Sequence, residues 1–467
     1  MQQALSATPI GAPLASQGDV EQSGGPGRIL LRIFEMLEQA GIQYCVLHGY
    51  ESYPAEIKSD VDCVIDPKIT PGQLLALLVR HRGWIGADVV CCRGYYIVLA
   101  GRNADGSRCF LTLDMAIDCE IHDLPLYAGQ EVLATRRRHR HLWIPSPDVE
   151  FSGYLARTIA KGTLDDERAK RLDRLYQQDA VGCSRQVERF WSGQSRELIR
   201  AAAKTGDWEL VRQHLGKLRG ELRRRAIVQR PARFVKNKLR ALLGRLRRVC
   251  QPDGLAVVLL GPDGAGKSST IEALAPRLTS AFARCTCWGF APPLARLLGR
   301  RPSTTSEPHA LPARSLLTSL ARAAYWFAYY TVGHFTLRLA LARSTLVLYD
   351  RHFLDILVDV RRYRYGGPVW LLRLIWLLIP KPDLILLLDA PPALLQERKQ
   401  EVSFEETARQ RNAYLALVRS MENGRIIDAT QQLNSVADDA AEVVIGHLTM
   451  RVRRRFELEQ NILVRAE

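Results

Sequence analysis

Between Leu260 and Ser269 the chain reads LGPDGAGKSS. Gly261 and Gly266, followed by Lys267 and Ser268, fit G-x-x-x-x-G-K-[ST], a loop whose backbone N–H groups turn inward around phosphate. The apolar run LAVVLLG before it reads as a strand and KSSTIEALAPRL after it as a helix, which is the setting the chemistry needs. The helix N-terminus adds its partial positive charge to those donors. Lys267 is placed to reach the β- and γ-phosphates of a nucleoside triphosphate, and the Ser268 hydroxyl to ligate Mg2+. The expected cofactors are ATP and Mg2+, with Gly261, Gly264, Ala265, Gly266, Lys267, Ser268 and Ser269 as the nucleotide-contacting set.

A second cluster lies upstream, in LHGYESYPAEIKSDVDCVID. Asp60 and Asp62 alternate along a strand, so both carboxylates share one face, as two-metal chemistry requires. A third concentration of polar groups follows Asp350-Arg351: ILVDVRRYRYGGP holds Arg361, Arg362, Tyr363, Arg364 and Tyr365. Alternating Arg and Tyr suits an anion beside a stacked ring, or a sugar.

Three stretches of elements must position these groups. From Arg28 to Ser146 helix and strand mix: RILLRIFEMLEQAG and PGQLLALLVRHRG read as helices, and IQYCVLHG, SDVDCVID, ADVVCCR, YYIVLAG and RCFLTLDMAID as strands. Residues 147–250 read as nearly all helix. From 251 to 467 strands and helices alternate, and STLVLYD and PDLILLLD are apolar on both faces, as in a parallel sheet covered on each side. The fold class is α/β. Residues 1–27, rich in Gly, Ser, Pro, Ala and Gln, read as a disordered tail. Neither AYWFAYYTVGHFTLRLALA nor VWLLRLIWLLIP is a clean membrane span, since they carry His334, Arg338 and Arg373; both are expected as buried helices.

The loop GPDGAGKSS, with Asp263 inside it, resembles that of thymidylate kinases, a branch of the nucleoside monophosphate kinases. LVLYDRHFLD resembles the strand ending in that family's Asp-Arg pair, PDLILLLDAPPALLQERK its next strand and the start of its basic lid, and RIIDATQQLNSVADDAAEVV its last strand, loop and helix. The resemblance covers residues 253–450. It implies a doubly wound P-loop sheet and an ATP-dependent phosphotransferase. It further implies that Asp263 faces the acceptor, Arg351 grips the acceptor phosphate, and Asp350 orients Mg2+ through water. Arg398, Lys399 and Arg409 would lie in the lid that closes over the donor. The catalytic set is therefore Lys267, Arg351 and Asp263, with Ser268 and Asp350 at the metal. The family's Arg-Glu-Pro-Gly acceptor stretch is met here only by TSEPHALP (305–312), so the donor half is kept and the acceptor half altered. The upstream stretch resembles the nucleotidyltransferase-like fold, in which a glycine turn, here Gly49, precedes Asp-x-Asp. That resemblance implies a possible second site of Asp60, Asp62 and a third carboxylate, Asp114, on a neighbouring strand; Gly49-Tyr50 stands where that family has Gly-Ser.

Three readings of function follow. The first is a kinase for a nucleoside monophosphate, the second a kinase for a carbohydrate or glycolipid acceptor in surface polysaccharide synthesis. The third is an ATP-binding regulatory module that transfers nothing. Charge adds a further expectation. Between Lys217 and Arg248 stand thirteen Lys/Arg and one acid, Glu221, so this segment holds +12 of the chain's +16. A helical linker, a contact with an anionic membrane and a nucleic-acid site are the alternatives, with nucleic acid the poorest fit because aromatic residues are not interleaved. The start lacks a basic stretch followed by a long apolar run, so a cytoplasmic location is expected, with the inner face of the membrane as the peripheral option. The ten cysteines lack metal-site spacing and are expected as buried thiols. A homodimer is what the thymidylate kinase resemblance implies.

Overall fold

Ile29, Leu30, Ile33, Phe34 and Leu37 recur at helical spacing and lie buried along the helix Gly25–Gln39. A computed structural model describes residues 24–121, 124–289, 309 and 311–466, with side chains up to Glu457. The expected tail therefore ends earlier than 27: residues 25–27 open this helix, with proline in its first turn, and residues 1–23 lie outside the described residues. The chain divides into two compact units, Met1–Leu243 with Arg455–Glu467, and Gly244–Arg454.

In the first unit, β1 (Tyr44–Val46), β2 (Val61–Ile65), β3 (Ala87–Arg93), β4 (Tyr96–Arg102) and β5 (Arg108–Ala116) form a sheet in the order β1-β2-β5-β4-β3. Only β2 and β5 run parallel, with Asp62 opposite Asp114. Two short antiparallel pairs follow, β6 (Asp118–Ile121) with β7 (Leu124–Ala128) and β8 (Arg137–His139) with β9 (Leu142–Ile144). The helices Pro147–Lys161, Asp166–Gln178, Ala180–Phe190, Gly193–Thr205 and Leu215–Gln229 come next. The sequence reading set residues 147–250 apart as a region of their own. The apolar faces of the helices from Pro147 as far as Leu222 instead share one core with the sheet, in which Phe151, Leu155, Trp191, Trp208 and Leu218 cluster with Cys45 and Val64 of β1 and β2.

The second unit holds β10 (Leu255–Leu260), β11 (Arg284–Trp288), β12 (Thr345–Tyr349), β13 (Leu384–Asp389) and β14 (Gly424–Asp428) in the order β11-β12-β10-β13-β14. All pairs are parallel. This is an α/β fold of P-loop type, with helical regions around it. β10 is buried at every residue because strands flank it on both edges and helices cover its faces. The helices Leu316–Ala342 and Val369–Leu378 differ from expectation. Trp326, Tyr330, Leu372 and Ile375 enter a core with Phe353, but Leu317 (80%), Phe335 (72%), Trp370 (65%) and Leu377 (72%) remain exposed. A helix beside a sheet buries one side only, so continuous apolarity did not mean continuous burial. Among the described residues no helix is long and apolar enough to cross a membrane. All ten cysteines are free; most are buried or half-buried, whereas Cys250 and Cys287 are exposed.

Candidate functional site

The loop after β10 sits where the strand order reverses, with β12 on one side and β13 on the other, the position at which open parallel sheets place ligands. Its glycines are required by conformation and by space. Gly261, Gly264 and Gly266 have φ of 151°, 83° and 85°. A Cβ on Gly261 would stand 2.8 Å from the Leu388 carbonyl oxygen, and one on Gly264 2.6 Å from that of Leu395. Ala265 is buried beneath the loop, and Ser269 is exposed in the first turn of the helix Lys267–Leu278. The Lys267 ammonium donates to the Gly261 and Pro262 carbonyls at 2.7 and 3.0 Å, so it folds over its own loop. Such a cradle, open at its backbone and backed by a helix N-terminus, fits a polyphosphate.

Register brings together the two residues expected at the metal. Val258 lies opposite Tyr349, so Asp350 and Arg351 leave β12 beside the loop. The Ser268 hydroxyl donates to the Asp350 carboxylate at 3.1 and 3.2 Å. One hydroxyl and one carboxylate suit Mg2+, a cation that keeps several of its waters. Of the other sequence-selected groups, Arg351 and Asp263 line one cleft with Lys267, Asp355, Arg362 and Tyr414. Asp263 forms a tight ion pair with Arg362, which also reaches Glu401 at 3.3 Å. Burial alone would raise the Asp263 carboxyl, yet Lys267 and Arg362 beside it hold it well below the usual range. Burial lowers the Lys267 ammonium, opposed by Asp263 and Asp355.

The segment Arg361–Tyr365 splits. Arg362 turns to the loop, and Tyr363 is engaged with the Arg351 guanidinium. Tyr365 does not face a ligand: it is 5% exposed, packs in the core with Trp326, and donates to the Pro368 carbonyl at 3.2 Å. Arg364 donates to the Pro312 carbonyl at 3.1 Å, and Arg361 is exposed. The three cations expected in a lid are likewise committed within the chain. Lys399 backs onto Gly264 and pairs with Glu401 at 2.7 Å. Arg398 donates to the Ala429 carbonyl at 2.9 Å, while Arg409 pairs with Glu406 and reaches the Val358 carbonyl. The stretch WGFAPPLARLLGRRPSTTSEP falls, beyond its first two residues, outside the described residues, as does most of TSEPHALP.

Several groups in this cleft were not singled out from sequence. Asp355, 5% exposed, accepts from the Tyr414 hydroxyl and the His352 N–H, both at 2.7 Å, and burial raises its carboxyl. Asp359 accepts from Gln410 and the Arg362 N–H at 3.0 Å each, and His309 stands at the same distance. His309, Asp359 and Glu406 bring ligand atoms within 4.8 Å of one another, the one such grouping among the described residues. Asp359 already accepts from Gln410 and the Arg362 backbone N–H, and Glu406 from Arg409 and Gln410. Arg411 holds Asp389, at the end of β13, with bonds of 2.7 and 2.9 Å. Asp355 stands four residues past Arg351 in DRHFLD, and that spacing was its one sequence signal.

In the first unit Gly49 adopts φ 78°, and Tyr50 turns inward to donate to Glu150 at 2.7 Å. Asp62 and Asp114 face each other across β2 and β5, with Asp60 just before β2. Asp62 is tied to His48 at 2.6 Å and to Arg157 at 3.4 Å. Burial would raise the Asp62 carboxyl, but His48 and Arg157 bring it below its ordinary value; burial and Asp62 raise Asp60 and Asp114. These three carboxylates do not form a group close enough to hold a metal ion, and the Arg157 guanidinium stands beside Asp62 at 3.4 Å.

No protein-family model matches the chain. The thymidylate kinases of Xanthomonas campestris pv. campestris strains B100 and 8004 are each 28% identical to it over 208 residues, which is 43% of this chain and 88% of theirs. Under half of the chain shares this likeness, and the phosphate loop, its Ser268–Asp350 pair and the parallel sheet agree with it: the chain contains a kinase-like P-loop region.

Proposed function

We propose that the second unit transfers the γ-phosphate of ATP, with Mg2+, to the phosphate of a nucleoside monophosphate. The convergence of Lys267, the Ser268–Asp350 pair, Arg351 and the Asp263–Arg362 pair on one cleft carries this reading. Mg2+, when bound, would shield the charge of the β- and γ-phosphates. The loop N–H groups and Lys267 hold the donor, and Ser268 and Asp350 hold the cation. Arg351 draws the acceptor phosphate towards the donor, so that two anions can approach. Asp263 fixes Arg362, which then presents its remaining N–H groups to the acceptor in a fixed orientation. The likeness to thymidylate kinases supports the nucleotide class of acceptor.

The test is transfer from γ-labelled ATP across dTMP, the other nucleoside monophosphates, simple sugars and a lipid-linked glycan extract, with Lys267→Ala as the blank. Label on a nucleotide supports the proposal. Label in the glycan extract alone moves the acceptor to carbohydrate, and ATP binding without any labelled product leaves a regulatory module in its place.

A further inference from the structure

The helix Pro231–Cys250 buries the wrong face for a water-soluble helix. Asn237 is 4% exposed and Arg233 meets Asp118 at 3.0 Å, so polar positions face the body of the first unit. Val235 (63%), Leu239 (54%), Leu242 (52%), Leu243 (55%), Leu246 (56%) and Val249 (41%) are exposed. At 3.6 residues per turn these six fall within an arc of about 120°. Lys238 and Arg245 border that arc on one side, and Lys236, Arg240 and Arg247 on the other. The helix carries seven Lys/Arg and not one acid. Apolar side chains held out to solvent between two rows of cations are the pattern of a helix that lies in a membrane interface.

We propose that this helix docks the protein flat on an anionic lipid surface, its leucines in the headgroup–acyl boundary and its cations against lipid phosphates. Charge decides against other occupants. A second copy meeting the same face would set cations against cations with no acid on either helix. A nucleic acid would engage the cations and leave the leucines in water, and the arc offers no aromatic ring for a base to stack on.

The test is flotation of the full chain with vesicles of phosphatidylcholine alone or mixed with phosphatidylglycerol. Binding is expected to the mixed vesicles, and to weaken about tenfold when salt rises from about 0.1 to about 0.5 M. Leu242→Asp with Leu246→Asp should lower the bound fraction at least about tenfold. Thermal unfolding and ATP binding should be unchanged in that variant, since both side chains point into solvent. Lys238→Gln with Arg245→Gln and Arg247→Gln should remove the salt-dependent part. Four results overturn the proposal: no flotation, equal flotation with both vesicles, flotation that ignores the leucine changes, or an oligomer in free solution that the leucine changes dissolve.

Discussion

Asp263 and Arg362 are 99 residues apart, and their side chains are 11% and 17% exposed. Removing one partner of a pair this enclosed leaves the other charge uncompensated, so Arg362→Ala should cost about 3 kcal/mol of stability in urea unfolding. Asp263→Ala with Arg362→Ala should recover part of that loss, and a full double-mutant cycle reads the coupling. His352 gives a pH test. Burial among Tyr330, Tyr349 and Trp376, with Lys381 nearby, drops its pKa from 6.5 to about 3. Below about pH 6.5 the unfolded chain binds a proton that the folded chain refuses, so stability falls as pH drops, by at most about 5 kcal/mol near pH 3. His352→Phe should flatten that slope in denaturation midpoints measured from neutral pH downward. What sequence made legible at this scale was local. Lys267 and Ser268 stand in one motif, and Asp350-Arg351 at one strand end. Asp359, and Glu401 through Arg362, join the cleft only through folding, and neither type nor spacing marks them; Asp355 had only its spacing from Arg351.

The phosphate loop and the helix Pro392–Arg398 meet at a single glycine. Gly264→Ala would combine a φ of 83° with a Cβ 2.6 Å from the Leu395 carbonyl. The substitution should destabilise by about 1–3 kcal/mol and weaken ATP binding in titration calorimetry more than Ala at exposed Ser269 does. Strands that are apolar throughout, β10, β12 and β13, were legible because both their faces are covered. β11 (RCTCW) was not, since it pairs on one edge only and exposes Arg284, Thr286 and Cys287. Amphipathic helices after residue 147 were equally readable, but period alone does not say which core a helix joins. Phe151 and Leu155 settle that by lying in one buried cluster with Cys45 of β1 and Val64 of β2.

Two units with separate cores should unfold in two calorimetric transitions. ATP at about 100 times its Kd should raise only the transition of the second unit, by about 2.7 kcal/mol, and Lys267→Ala should abolish the rise. Sequence put a boundary at 250/251, where composition changes from cationic helix to apolar strand, whereas the two compact units divide at Leu243 and Gly244, inside that helix. The merging of the helical stretch with the first sheet was not visible, since it depends on which faces meet.

The order of the second sheet has a consequence for synthesis. β10 is made first, yet the strands it pairs with begin at Thr345 and Leu384, 90 and 129 residues later. At about 5–20 residues per second, a ribosome takes about 5–18 s to supply even the nearer one. For that interval a strand of six apolar residues has no partner of its own, and nascent chains on neighbouring ribosomes offer substitutes. Soluble yield should therefore respond to anything that shortens the wait or shields LAVVLL during it, from codon choice between residues 261 and 345 to the supply of chaperones that bind apolar strands.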